Sequence, residues 1–311
     1  MKLAMVFPGQ GSQSVGMMAE YDANPAVRQT FDEAREALAQ DLWTLAADGP
    51  PEDINLTVNT QPLMLAADVA VYRAWRAAGG PEPAIAAGHS LGEYAALVVC
   101  GALAFADALP LVRFRAQAMQ DAVPAGTGAM AAVMGLEDAA LAAVCAEVAQ
   151  GEVVEPVNFN APGQIVIAGH REAVERAIAL AKTRGAKRGL LLPVSAPFHS
   201  SLLKPAAERL TAYLAEVDIR VPSIPVVHNV NVASAATPAA IRDALARQAA
   251  SPVRWADTMR AFAAEGVTHI VECGPGAVLA GLARRTVPDL EVHATNDGDA
   301  LAAALAAIAV A

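Results

Sequence analysis

Cysteine is scarce in this chain. Cys100, Cys145 and Cys273 are odd in number, widely separated and form no CxxC pair, which argues against a disulfide framework or a zinc knuckle and for a reducing compartment, the cytoplasm. Charge is also sparse, at 17% of residues, and 22 Lys plus Arg against 32 Asp plus Glu leave a net −10. A phosphate backbone is therefore excluded as principal partner, and no nucleic acid is expected. Long hydrophobic runs are missing. The longest uncharged stretches, Ala95 to Ala106 and Leu301 to Ala311, fall short of the roughly 18 residues a spanning helix needs, so no membrane is expected. The opening MKLAMVFPGQG is stopped at Pro8 and Gly9, too early for a signal-peptide core. What abounds is apolar residues, 55% of 311 and much of it alanine. That composition excludes general disorder and suffices for about two compact units.

Short β-rich apolar runs alternate with longer helical patterns, the mark of parallel strands joined by helical crossovers, so the class is α/β. Candidate strands of one sheet are Leu3 to Phe7, Ala84 to Ala87, Val226 to Asn229 and His269 to Cys273. Between about Gly126 and Ser195 the rhythm changes. Strand (Ala129 to Met134), helix (Glu137 to Ala149), strands (Val153 to Phe159, Ile165 to Ala168), helix (Glu172 to Arg184) and strand (Gly189 to Val194) give βαββαβ, a ferredoxin-like order. The reading is a large α/β domain from residues 1–125 and 196–311 with a small subdomain, 126–195, inserted in it. The cleft between the two is the expected pocket.

Gly88-His89-Ser90-Leu91-Gly92 is a G-x-S-x-G string between an apolar run and a helical pattern, the context in which such a serine is lifted out of a sharp strand-to-helix turn. The Leu91 amide, at the helix start, would help stabilise an oxyanion there. A serine nucleophile needs a base, and six histidines compete. His89, His170 and His269 read as structural. His199, in SAPFHSS before the amphipathic pattern Leu202 to Ala215, falls at the domain junction, where a helix N-terminus would keep an imidazole neutral; simple capping is the alternative. A second glycine-rich loop, Pro8 to Gly16, has G-x-G-x-x-S spacing rather than the dinucleotide fingerprint. It suits a second oxyanion amide better than a cofactor.

Together FPGQGSQ (Phe7 to Gln13), GHSLGEY (Gly88 to Tyr94) and FHS (Phe198 to Ser200) resemble the malonyl-CoA:acyl carrier protein transacylases of the free-standing bacterial type. VNFNAPGQIVIAG (Val157 to Gly169), SPVRW (Ser251 to Trp255) and ECGPG (Glu272 to Gly276) follow in the matching order, so the likeness spans the chain. The resemblance implies a hydrolase-like domain with a central, mostly parallel sheet and a ferredoxin-like insert. It implies Ser90 as nucleophile, His199 as base, and the backbone amides of Gln10 and Leu91 as oxyanion hole. The histidine would be oriented by a backbone carbonyl at Gln248, where hydrolases use an Asp. Gln10, Phe198 and Asn160 would touch substrate, and Arg115 would pair with the malonyl carboxylate. With Leu109, Val112, Ala116 and Met119 as the buried face, helical periodicity alone leaves Arg113 and Arg115 equally open.

The implied reaction is ping-pong transfer from malonyl-CoA to the phosphopantetheine thiol of an acyl carrier protein, for fatty acid synthesis. No bound cofactor, no metal and a monomer are expected. Carrier proteins are acidic, so a chain this acidic must present a local basic face; Lys187, Arg188, Arg284 and Arg285 resemble positions proposed to meet the carrier. Rival readings are the same transfer serving malonate decarboxylase or a polyketide synthase, a serine esterase or thioesterase, and a non-catalytic coenzyme A or carrier-binding module.

Overall fold

The computed structural model describes residues 1–310. Strand β1 (Leu3–Phe7) leads through α1 (Pro25–Leu38), α2 (Leu42–Asp48), α3 (Pro51–Ile54) and the long α4 (Thr57–Ala77) to β2 (Ile85–Gly88), then α5 (Gly92–Val99) and α6 (Phe105–Asp121). There follow β3 (Gly128–Met134), α7 (Asp138–Val148), β4 (Val154–Ala161), β5 (Gln164–His170), α8 (Arg171–Thr183) and β6 (Arg188–Leu191). The chain closes with α9 (Lys204–Ala215), β7 (Val226–His228), β8 (Ala233–Ser234), α10 (Pro238–Gln248), α11 (Trp255–Ala264), β9 (His269–Glu272), α12 (Val278–Thr286), β10 (Glu291–Ala294) and α13 (Gly298–Ala309). No helix among the described residues is long and apolar enough to cross a membrane.

The central sheet has the order β10-β9-β1-β2-β7-β8. Its first five strands run parallel and β8 pairs antiparallel at the edge. Strand β1 is buried along its whole length, as a parallel strand covered by helices on both faces must be. Its alternation divides the core: Leu3, Met5 and Phe7 join the cluster built on α4, α5 and α6, while Ala4 and Val6 join the one built on α11 and α12. All four strands expected from sequence lie in this sheet. Strands β8 and β10 were not anticipated.

A second sheet, β4-β5-β3-β6, is antiparallel throughout. On one face Ala131, Val133, Ile165 and Ile167 pack against Leu141, Val144 and Val174 of α7 and α8. From the other face Met130, Val166 and Ala168 enter the main core. Val157 and Phe159 exchange backbone hydrogen bonds with Val253, stitching β4 to the segment before α11. The small sheet is thereby pressed onto the carboxyl edge of the large one.

Candidate active site

Ser90 sits between β2 and α5 with φ of 52°, a left-handed conformation that a residue with a Cβ adopts only when its surroundings enforce it. The flanking glycines are obligatory. A Cβ on Gly88 would lie 1.8 Å from the Gly92 carbonyl carbon, and one on Gly92 would lie 2.1 Å from Phe7 O. Asn229 pins the turn from β7: its Oδ1 accepts the Ser90 amide at 2.7 Å and its Nδ2 donates to Gly88 O at 2.7 Å. The loop after β1 presses on the same turn, since a Cβ on Gly9 would meet His89 O at 2.4 Å and Leu91 N at 3.6 Å. Among the described residues the backbone amides of Gln10 and Leu91 have no protein acceptor, so two free donors stand beside the serine.

His199 comes from the segment between β6 and α9, also at positive φ (67°). Its Nε2 lies 2.7 Å from Ser90 Oγ and its Nδ1 lies 2.8 Å from the Gln248 carbonyl at the end of α10. A carbonyl only accepts, so Nδ1 carries the hydrogen and Nε2 keeps a lone pair for the serine proton. Burial, then the Arg115 charge, push the His199 pKa down to about 3, against the Gln248 carbonyl, which raises it. The imidazole is neutral at pH 7 chiefly because it is buried; the helix dipole expected from sequence is not the main cause.

Arg115, on α6, is 1% exposed. Its Nη1 donates to Gln61 Oε1 at 2.8 Å, and its Nη2 to Gln248 Oε1 at 2.8 Å and to Ser90 Oγ at 3.1 Å, while Nε has no partner. The guanidinium carbon stands 5.4 Å from the Tyr94 ring centroid. Burial lowers its pKa, opposed by the nearby Tyr94 and Glu93. Arg113 turns the other way, to the side chain of Gln40. Of the two arginines that periodicity left open, Arg115 is the one buried beside Ser90.

These groups line a cavity of about 100 Å³, with Gln10, Gln61, Leu91, Met119 and Phe198 from the large sheet's side and Met130, Asn158, Leu192 and Val194 from the small one's. Two sequence expectations shift. His89, read as structural and directed elsewhere, lines the cavity, and burial lowers its pKa. Asn160 stands behind it, its Oδ1 2.9 Å from His89 Nε2, and the asparagine on the cavity wall is Asn158. Among the described residues no three His, Cys, Asp or Glu side chains converge as a metal site.

Sequence reasoning missed the support beneath the site. Glu93 is fully buried and accepts the Asn229 amide at 3.0 Å and Gln248 Nε2 at 2.9 Å, with His228 Nδ1 at 2.7 Å. Gln248 thus acts with its whole length: the carbonyl holds His199, Oε1 holds Arg115, and Nε2 donates to Ser90 O at 2.9 Å.

At the surface Lys187, Arg188, Arg284 and Arg285 are exposed, and among the described residues none pairs with a carboxylate. Arg285 reaches the Gln164 side chain and Pro162 O in the β4–β5 turn, while Lys187 packs near Gly135, whose amide bonds Gly163 O in that same turn. Arg285 and Lys187 thus both lie by the β4–β5 turn, while Arg284 donates to Val292 O at 2.7 Å.

The profile of the family described as acyl transferase domain matches residues 4–304. The malonyl CoA-acyl carrier protein transacylase of Escherichia coli strain K12 is 55% identical over 305 residues, covering 98% of this chain and 99% of that one. The crystal structure of an acyl-carrier-protein S-malonyltransferase from Burkholderia pseudomallei is 60% identical with a TM-score of 0.97, covering 98% of this chain and 100% of that chain. A malonyl-transacylase solved in complex with its holo type II PKS acyl-carrier protein is 50% identical with a TM-score of 0.97, covering 99% and 100%. Identity at this level along nearly the full length of both chains leaves one assignment: the chain belongs to the malonyl CoA-acyl carrier protein transacylase family.

Proposed function

We propose that the protein moves the malonyl group of malonyl-CoA onto the phosphopantetheine thiol of an acyl carrier protein through a malonyl-Ser90 intermediate, supplying extender units for fatty acid synthesis. The observation that carries the reading is Arg115: a fully buried guanidinium with an unpartnered Nε, 3.1 Å from the nucleophile. Such a group is costly unless an anion completes it, and a carboxylate does so with two parallel hydrogen bonds.

His199 Nε2 takes the Ser90 proton as Oγ attacks the thioester carbon, and the amides of Gln10 and Leu91 receive the oxyanion. Collapse breaks the C–S bond, and His199 returns the proton to the departing coenzyme A sulfur. The carrier thiol then gives its proton to His199 and attacks the acyl-serine, restoring Ser90. The Gln248 carbonyl fixes the imidazole tautomer, and no third carboxylate is required. Phe198, with Met119 and Met130, supplies the apolar wall against the acyl group. Gln10 contributes its side chain as well as its amide. Asn160 acts through His89, holding that ring against the cavity.

In this reading the large body, 1–125 and 196–311, is the hydrolase-like catalytic domain, and 126–195 is a ferredoxin-like subdomain that closes the cleft. The carrier docks on Lys187, Arg188, Arg284 and Arg285. The enzyme works as a cytoplasmic monomer without a bound cofactor. A type II polyketide carrier as acceptor is the second reading, favoured by the carrier in the 50% identical complex.

Intact mass spectrometry after brief exposure to malonyl-CoA or acetyl-CoA tests this. A malonyl adduct is expected on the wild type, absent in Ser90→Ala, at least tenfold slower to form in Arg115→Ala (roughly 1.4 kcal/mol or more of transition-state binding), and transferred to added holo carrier protein. Prompt loss of the adduct to water would indicate a hydrolase. No adduct with either thioester would sink the assignment.

A further inference from the structure

Ser90 Oγ has two partners that act on its reactivity in opposite directions. It donates to His199 Nε2 at 2.7 Å, which prepares its deprotonation, and it accepts from Arg115 Nη2 at 3.1 Å. The second bond occupies a lone pair of the oxygen that must attack the thioester carbon. Both hydrogens of Nη2 are then committed, one to Gln248 Oε1 and one to the serine, while Nε is buried and unpartnered, with Tyr94 beside the guanidinium. Nε and Nη2 form one edge of the guanidinium, an edge that takes a carboxylate in two parallel bonds. An ionised oxygen is a stronger acceptor than a hydroxyl, so a carboxylate that engages Nη2 competes with Ser90, which holds the longer of its two bonds, for the hydrogens of that nitrogen.

We propose that the substrate's own free carboxylate switches on the nucleophile: by engaging Arg115 it releases Ser90 Oγ from Nη2. The inference rests on the reading that Arg115 receives the malonyl carboxylate. No bond of the carboxylate is made or broken; the serine proton still travels through His199 to the coenzyme A sulfur as the C–O bond forms and the C–S bond breaks. The surroundings of His199 support it. Apart from burial, the groups that bear on the imidazole are Arg115 and His89, which lower its proton affinity, and the backbones of Gln248 and Ser251, which raise it. Arg115 is the largest of these, and it is the one a substrate anion neutralises.

Under this proposal malonyl and acetyl thioesters differ in the rate of the covalent step as well as in binding. The test is single-turnover acylation of Ser90 at saturating malonyl-CoA and saturating acetyl-CoA, read by rapid quench and intact mass. In the wild type the saturated malonyl rate is expected to exceed the acetyl rate about tenfold or more. In Arg115→Ala the saturated acetyl rate should rise above that of the wild type, because the restraining bond is gone; loss of simple positioning would not raise it. Formate at constant ionic strength, at concentrations that compete with malonyl-CoA, should accelerate acetylation of the wild type and leave Arg115→Ala unaffected. Equal saturated rates in the wild type, with selectivity confined to half-saturation, would overturn the switch, as would a slower acetyl rate in the variant. If instead Arg115→Ala takes up malonyl with unchanged half-saturation and rate, the carboxylate reading itself fails.

Discussion

Ser90 and His199 are two of only five non-glycine residues with positive φ among those described. Strain at such positions persists where the surroundings over-determine it, and here the strained pair is also the hydrogen-bonded one. The depressed His199 pKa has a measurable consequence. An unperturbed histidine near 6.5 would lose general-base function below that pH; with burial and Arg115 holding it down to about 3, kcat/KM for Ser90 acylation is expected to stay flat from pH 8 to below 5. That parameter reports the free enzyme, so an acid limb near 6.5 would contradict the burial argument. The same depression sets a stability slope. Between about pH 6.5 and 3 the unfolded chain binds a proton at this position that the folded chain refuses, so the His199 contribution to stability falls as pH falls. Ser90 and His199 were legible because short motifs carry them, whereas Arg115 came only with the family resemblance, helical periodicity leaving it level with Arg113. Glu93, Asn229 and Gln61 were not, because their roles depend on which helices and strands meet, and no local pattern distinguishes a buried supporting carboxylate from a solvated one.

The strand-to-helix turn at Ser90 exists because two glycines allow backbones to touch. Gly88→Ala would drive a methyl to within 1.8 Å of the Gly92 carbonyl carbon, a main-chain clash that side-chain repacking cannot relieve. A loss of about 3 kcal/mol or more is expected, measured by urea denaturation, together with lost acylation as Ser90 is displaced. Gly281 is the internal control. It lies inside α12 without positive φ, and an added Cβ meets nothing within 4 Å, so Gly281→Ala should stabilise by about 0.5–1 kcal/mol. At this scale the sequence was informative for the buried strands and weak at edges. The parallel strands β1, β2, β7 and β9 show as apolar runs. Strand β10, EVHA with an exposed Glu291, has no such run and is held by its pairing with β9. Strand β6 ends at Leu191, three residues short of the expected Val194, because Leu192 makes the last amide bond to β3, at Met130 O, and Val194 then turns back to Leu192 O, with both side chains lining the cavity.

For the molecule as a whole, net charge and partner set a problem that only the folded surface can answer. A chain at −10 repels an acidic carrier at long range, so docking must rely on a local field of opposite sign, and long-range repulsion is screened over about 8–10 Å at ordinary salt. The turn joining β4 to β5 brings Arg285 and Lys187 onto one face although 98 residues separate them in sequence (285 − 187 = 98). Lys187, Arg188, Arg284 and Arg285 are four cations without an acidic partner among the described residues. Exposed Leu190 and Leu191 on β6 adjoin this face and offer apolar contact next to the charge. The two half-reactions then separate cleanly. Combining Lys187→Glu with Arg285→Glu should raise the KM for holo carrier protein about tenfold or more, on the scale of rim-charge effects on association, while malonyl-serine formation from malonyl-CoA stays within about twofold of the wild type. Added salt should raise the carrier KM of the wild type and change that of the variant less, because screening weakens an attraction the variant no longer has. An unchanged carrier KM in the doubly reversed protein would place the carrier on another face, and the basic cluster would then be ordinary solvated charge.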